Sequence, residues 1–266
     1  MSTMILESVT FIYLASFLVF LMAEISGRGI WASSGRIITI TGLFFHTSGI
    51  ALRWVELHQA GISHAPLSNF YESLVFFSWA VATLYLLYSW KDTKGLIGVF
   101  VMPVSTLLIA YASFSPTIDT RIQPLIPALK SNWLIIHVVT CFLGYAAFLM
   151  ASSFGIIFLM ARSSEENQGS IADMLEKSLK TGFILFTFGI ITGSVWAHYA
   201  WGRYWGWDPK ETWALTTWLI YAAAIHVRIR DGSVNRRVAI MTIFGLMSVL
   251  FTYFGVNYLP GLHSYQ

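Results

Sequence analysis

"NWLIIHVVTCFLGYAAFLMASSFGIIFLMA", residues 132 to 161, runs its whole length without an aspartate, glutamate, lysine or arginine. A bilayer core about 30 Å thick takes about 20 mostly apolar residues per helical crossing, so this stretch reads as a membrane span. Seven further stretches of similar character flank it: Ser8 to Ala23, Ile37 to Arg53, Ser68 to Trp90, Gly95 to Phe114, Leu179 to Trp196, Thr212 to Val227, and Val238 to Phe254. The chain of 266 residues is 56% hydrophobic and 11% charged, where a soluble domain has about 25% charged residues. The predicted fold is an all-α integral membrane protein of about eight transmembrane helices, a single polytopic membrane domain over residues 1–266. The opening "MSTMILES" has no positive charge ahead of its apolar run and no small-residue cleavage site after it. It reads as a helix rather than a signal peptide.

Orientation follows from the bias of cationic loops toward the inner side. The connections after helices 1, 3, 5 and 7 carry eleven lysines and arginines: Arg28, Arg36, Lys91, Lys94, Arg162, Lys177, Lys180, Arg228, Arg230, Arg236 and Arg237. The opposite side carries five: Arg53, Arg121, Lys130, Arg203 and Lys210. Both termini are therefore expected on the outer (periplasmic or lumenal) side, with the tryptophan-rich loop between helices 6 and 7. The most polar interruption, "ARSSEENQGSIADMLEKSLK" at residues 161 to 180, reads as an inner loop containing a short helix. The net charge of +3 is accounted for by the inner loops, so no nucleic-acid partner is expected. The single cysteine, Cys141, lies within helix 5 and has no CxxC partner.

Depth sorts the seven histidines. His46 lies about ten residues into helix 2 from the inner side, roughly 15 Å deep at 1.5 Å per residue. His226 follows the apolar run of helix 7 just before Arg228, at a similar inner level. His137 enters helix 5 one to two turns from its outer end, and His263 is in the outer tail "NYLPGLHSYQ". The pattern is two stacked pairs. Each has a plainer reading: an interhelical hydrogen bond for His46 or His226, a solvated or capping role for His137 or His263. Intramembrane ionisable residues are nevertheless functional candidates by default. His58 and His64, in an outer loop, read as surface residues. Paired imidazoles without a carboxylate or thiolate cluster suit haem better than a bare zinc ion, because haem needs only axial ligands and a large apolar, aromatic pocket.

Such aromatic surroundings are concentrated in "AWGRYWGWDPKETW", residues 200 to 213. Trp196, Trp201, Trp205, Trp207 and Trp213 fall within eighteen residues. An interfacial belt accounts for one or two tryptophans per helix end. It does not account for Trp201, Trp205 and Trp207 within the connection, interleaved with Gly202 and Gly206. A flat aromatic platform there would stack on a porphyrin, with Arg203 and Lys210 as candidate propionate partners. "DPKE" reads as a capping box opening helix 7, with Asp208 at the N-cap, Pro209 at the first helical position and Glu211 at the third.

The run "WAHYAWGRYWGWDPKETWA", residues 196 to 214, resembles the WWD signature of the haem-handling proteins of cytochrome c maturation, the CcmC/CcmF/CcsA family. Together with "HAPLSNFYESLVFFSW", residues 64 to 79, and the eight-helix layout, it is similar to the CcsA/ResC branch of the system II pathway. The resemblance implies haem transport to the outer face and, with a CcsB/ResB-type membrane protein, covalent attachment of haem b to the CxxCH motif of apocytochrome c. It further implies that His46 and His226 bind haem within the membrane and that His137 and His263 ligate it at the outer face. Trp201, Trp205, Trp207 and Asp208 would form the haem platform. No catalytic nucleophile of the chain's own is expected, since the substrate supplies both thiols; the chain would be part of a cytochrome c synthase (haem lyase) complex. A bacterial cytoplasmic membrane or a thylakoid satisfies the sidedness. His198 stands where relatives commonly have asparagine. Competing readings are a haem exporter or chaperone without ligase activity, and a b-type membrane cytochrome carrying electrons.

Overall fold

The computed structural model describes residues 1–62, 64–89, 95–123, 129–161 and 165–261, the side chains of 165–167 excepted. Eight α-helices are present among them: α1 (Ser2–Ser26), α2 (Gly29–Gln59), α3 (Phe70–Tyr88), α4 (Leu96–Phe114), α5 (Asn132–Met160), α6 (Glu165–Trp201), α7 (Pro209–Asp231) and α8 (Arg236–Tyr253), followed by a short 3-10 helix, Gly255–Tyr258. Six of them, α1, α3, α4, α5, α6 and α8, are long and apolar enough to cross a membrane among the described residues. The protein is an all-helical integral membrane protein. The remaining two, α2 and α7, carry the candidate inner histidines. Contacts gather into two compact units, Met1–Lys130 and Ser131–Gln266.

In the first unit, α1 ends at Gly27, whose φ of 66° closes the helix with a hydrogen bond from its N–H to the Ala23 carbonyl. The chain then turns back into α2. Buried positions on α2, including Gly35, Thr39, Gly42, His46, Gly49 and Arg53, alternate spacings of three and four, so they share one seam. Every seventh residue of α1 fills a glycine of that seam: Phe20 at Gly35, Tyr13 at Gly42, Leu6 at Gly49. A Cβ at Gly42 would lie 2.6 Å from the Tyr13 ring, so this glycine has no room for a side chain. Small residues allow such approach in lipid, where apolar transfer no longer drives helices together. The polar members of the seam bond across it, as in the 2.6 Å contact between the Ser16 and Thr39 hydroxyls.

In the second unit, α5 packs on α6 and α8, and α7 packs on α8. Gly182, Gly189 and Gly193 line α6 where α5 crosses, and a Cβ at Gly189 would strike the Cys141 sulfur at 2.5 Å. On α7 the Thr217 hydroxyl contacts those of Ser248 at 2.6 Å and Thr252 at 3.0 Å on α8. These hydroxyls need acceptors inside the bilayer, which carbonyls one turn back on the same helix (Trp213 for Thr217, Ser248 for Thr252) supply together with the neighbouring helix.

One expectation is corrected. The polar stretch 161–180 is not a loop with its own short helix: from Glu165 it continues without a break into α6, which runs 37 residues to Trp201. No proline interrupts it, and Glu176 pairs with Lys180 one turn on, at 2.5 Å. Helices α1 and α2 likewise start earlier than their apolar runs, because a polar residue at a helix end keeps helical geometry when water can satisfy it.

Candidate functional site

The tryptophan-loop end of the second unit is built from α5, the end of α6, the loop 202–208 and the start of α7. His137, on the second turn of α5, points its ring at α6, and its Nδ1 lies 2.7 Å from the Gly189 carbonyl. A carbonyl only accepts, so Nδ1 carries the proton and the lone pair of the neutral ring is on Nε2. Metal-ligating histidines are held in this way, by a second group that fixes tautomer and orientation. The ring also lies nearly parallel to Trp196, at 10° and 6.2 Å between centroids, and Trp196 meets Trp201 edge-on at 4.8 Å. Gly193 makes room: a Cβ there would come within 2.5 Å of the His137 Nδ1. Cys141, one turn further along α5, has its sulfur 3.6 Å from the same nitrogen.

The loop itself is tightly specified. Gly202 has a φ of 75°, and Trp207 adopts a φ of 58° although it is not glycine. Left-handed backbone at a bulky residue is a strained arrangement and concentrates at functional sites. Trp207 is moreover 70% exposed, so its position is not explained by core packing. Its ring meets Trp205 edge-on at 5.8 Å and 88°. The tryptophans thus form edge-on pairs rather than one flat sheet. The Arg203 guanidinium folds over Gly206, where an added Cβ would be 2.7 Å from it. His198 is exposed and stacks on Tyr204 at 4.4 Å.

Asp208 caps α7 as "DPKE" predicts: its carboxylate accepts from the Lys210 N–H at 2.9 Å, and Glu211 accepts from the Asp208 N–H at 3.1 Å and the Gly206 N–H at 2.7 Å. The Lys210 ammonium turns to Asn257 of the 3-10 helix, 3.5 Å away. The same carboxylate is covered by the chain that follows α8, since a Cβ at Gly261 would lie 2.6 Å from the Asp208 Oδ2. The tail is thereby brought back to the loop two residues before His263, which itself lies outside the described residues. Replacing Asp208 by alanine should lower stability by about 1–2 kcal/mol, while asparagine, an equally good cap, should cost only a few tenths. Thermal unfolding in detergent of the two variants checks this, and equal losses would refute the capping assignment.

Of the inner candidates, His46 is fully buried in the first unit, with Nδ1 3.2 Å from the Tyr13 hydroxyl. His226 is exposed on α7. His58 is exposed and His64 half-buried.

Sequence reasoning missed a buried ion pair. Arg53 Nε bonds Glu72 Oε1 at 3.2 Å, its Nη1 donates to the Thr120 carbonyl at 2.8 Å, and the guanidinium lies 5.2 Å from the centre of the Tyr71 ring. Glu72 also accepts from the Ser68 N–H, while Asn69 caps α3 by accepting from the Glu72 N–H. The signal was the N-x-x-E spacing inside "HAPLSNFYESLVFFSW". The turn that Arg53 grips is clipped by Arg121, whose bonds to Asp119 hold that carboxyl well below the usual carboxylate range.

A helical membrane protein with an oriented imidazole beside a strained tryptophan loop is the class defined so far. The family model of cytochrome C assembly proteins matches residues 67–263. The chain is 41% identical to a cytochrome c biogenesis protein CcsA of Chlamydomonas reinhardtii over 81% of this chain and 64% of that one, so it spans just under two thirds of that relative. It is 36% identical to the CcsA of Guillardia theta, covering 85% and 83% respectively, and 36% identical to that of Synechococcus sp. (strain CC9605), covering 97% of both. The solved structure of the cytochrome c heme lyase CcmF matches with a TM-score of 0.77 at 14% identity, over 95% of this chain and 46% of that one, which establishes likeness of fold. The chain belongs to the cytochrome C assembly family and is of the CcsA type of cytochrome c biogenesis protein. The matched segment includes α5–α8 and the tryptophan loop but begins after α2 and His46.

Proposed function

We propose that this chain carries haem b to the outer face of the membrane, holds it there, and with a CcsB/ResB-type partner presents it to the CxxCH segment of apocytochrome c. The observation that carries the reading is the His137 ring, fixed by the Gly189 carbonyl so that the neutral imidazole has its lone pair on Nε2. Among the described residues no group of three or more histidine, cysteine, aspartate or glutamate side chains could enclose a metal ion. One or two imidazoles per site suit a substrate whose iron already has four porphyrin nitrogens.

In this reading all eight helices cross the membrane as one domain with both termini outside, in a bacterial cytoplasmic membrane or a thylakoid. His46 and His226 receive haem at the inner level. His137 and His263 ligate it outside, and the return of the tail to Asp208 supports that pairing. Trp201, Trp205 and Trp207 bound the pocket, and Arg203 is the preferred propionate partner because Lys210 is turned to Asn257. The chain's residues bind, orient and shield. The chemistry needs no nucleophile from them: each substrate thiol adds across a haem vinyl group, sulfur to the inner carbon and the proton to the terminal one. The substrate histidine then displaces one axial imidazole.

Co-expression with the partner and an apocytochrome bearing CxxCH, scored as covalent haem on a denaturing gel, tests the reading. His137→Ala should reduce staining by at least about tenfold, the scale of a lost metal-positioning group, with partial recovery on added imidazole. Absence of staining from the intact, well-expressed wild-type pair would end the ligase assignment.

A further inference from the structure

Two imidazoles in this chain are held by partners of different kinds. At His137 the acceptor is a backbone carbonyl, which fixes a single tautomer. At His46 the partner is the Tyr13 hydroxyl, 3.2 Å from Nδ1. Both side chains are fully buried, their ring centroids lie 5.7 Å apart at 54°, and His46 Nε2 makes no hydrogen bond of good geometry among the described residues, although the Val75 backbone of α3 also lies beside the ring. A ring nitrogen left without a well-formed hydrogen bond in a buried interior costs free energy unless something else uses it. A phenol can donate or accept. It donates to Nδ1 when Nε2 bears the proton, and it accepts from Nδ1–H when Nε2 gives its lone pair to iron. Either way the ring keeps its anchor.

Seating of the phenol is itself determined. The Tyr13 ring lies against Gly42, one turn before His46 on the same seam. Helix α1 therefore delivers a polar atom to His46 at a depth where water is not available to replace it.

We propose that Tyr13 is the positioning residue of His46, making α1 part of the inner haem site. The proposal rests on the reading of His46 as a haem ligand. Tyr13→Phe keeps the ring against Gly42 and removes only the oxygen, so the fold is preserved and the variant isolates the hydroxyl.

The test uses the full chain with its partner, purified in detergent, in a His137→Ala background so that retained haem reports on the inner site. Three proteins are compared: the background alone, the background with Tyr13→Phe, and the background with His46→Ala. Haem per chain, the rate of haem transfer to excess apomyoglobin, and the haem reduction potential are measured. Tyr13→Phe should speed haem loss about tenfold, the lower end of the cost of removing such an orienting partner, and should shift the potential. His46→Ala should abolish retention. If His46→Ala removes haem while Tyr13→Phe leaves both loss rate and potential unchanged, Tyr13 has no positioning role and the ligand reading stands. If His46→Ala leaves haem unchanged, the ligand reading fails and the role of Tyr13 falls with it.

Discussion

Exchanging Gly193 for alanine is expected to disable the proposed outer haem site while the protein still inserts and folds. The added Cβ would fall 2.5 Å from Nδ1 and 2.7 Å from Cε1 of His137, well inside contact distance, and the ring must swing away. That movement breaks the 2.7 Å bond to the Gly189 carbonyl and releases both the tautomer and the aim of the lone pair. Losing an orienting partner of a metal ligand costs about 10–100-fold in affinity, and here the steric push adds to the lost bond. Covalent haem transferred to a co-expressed apocytochrome should therefore drop by about two orders of magnitude. Gly169→Ala is the matched control, because nothing lies within 4 Å of its Cβ position. Wild-type staining in Gly193→Ala would show that His137 does not need its present seat.

Removing the Glu72 carboxylate should be the most destabilising single change in the first unit. The Arg53 and Glu72 side chains are 4% and 2% exposed, and a buried cation without its partner costs about 3–5 kcal/mol. Against a typical total of about 5–15 kcal/mol, Glu72→Ala should sharply reduce the yield of folded protein and its unfolding temperature in detergent. Replacing both members by apolar residues of similar size, Arg53→Met with Glu72→Leu, should recover part of that loss, since the uncompensated charge is then gone. The carbonyls of Thr120 and Arg121, which Arg53 also holds, set a limit on the recovery. A double variant no more stable than Glu72→Ala would overturn the account.

Eight helices were legible as apolar runs visible in one dimension, and six of them are long and apolar enough to cross a membrane among the described residues. Where helices begin and end was less so. Polar ends such as residues 165–180 carry no stop signal and remain helical in water, so hydropathy alone places the start of α6 too late. In the candidate site, the Asp208–Glu211 capping box was readable from local spacing, and depth placed His137 near one end of α5. The partners were not: Gly189 lies 52 residues from His137, Tyr13 lies 33 from His46, and Glu72 lies 19 from Arg53. Spacing along one helix shows which residues share a face, and says nothing of which other helix meets that face. The glycines of α2 and α6 were the available hint, since a glycine repeated on one helix face has a neighbour's side chain to admit.

Helix α6 spans about 55 Å at 1.5 Å per residue, far longer than a bilayer core of about 30 Å. Near one end Glu176 is paired with Arg228 of α7, 2.8 Å away; at the other are Trp196 and Trp201. With no proline or break along it, the helix acts as a stiff lever. A tilt of about 5° about its midpoint carries each tip about 2.4 Å, in opposite directions. Such a swing is on the scale of the 2.7 Å contact that seats the His137 ring on Gly189 of the same helix. Were the helix to tilt as one body, a pull at the charged end would be felt at the tryptophan end as well.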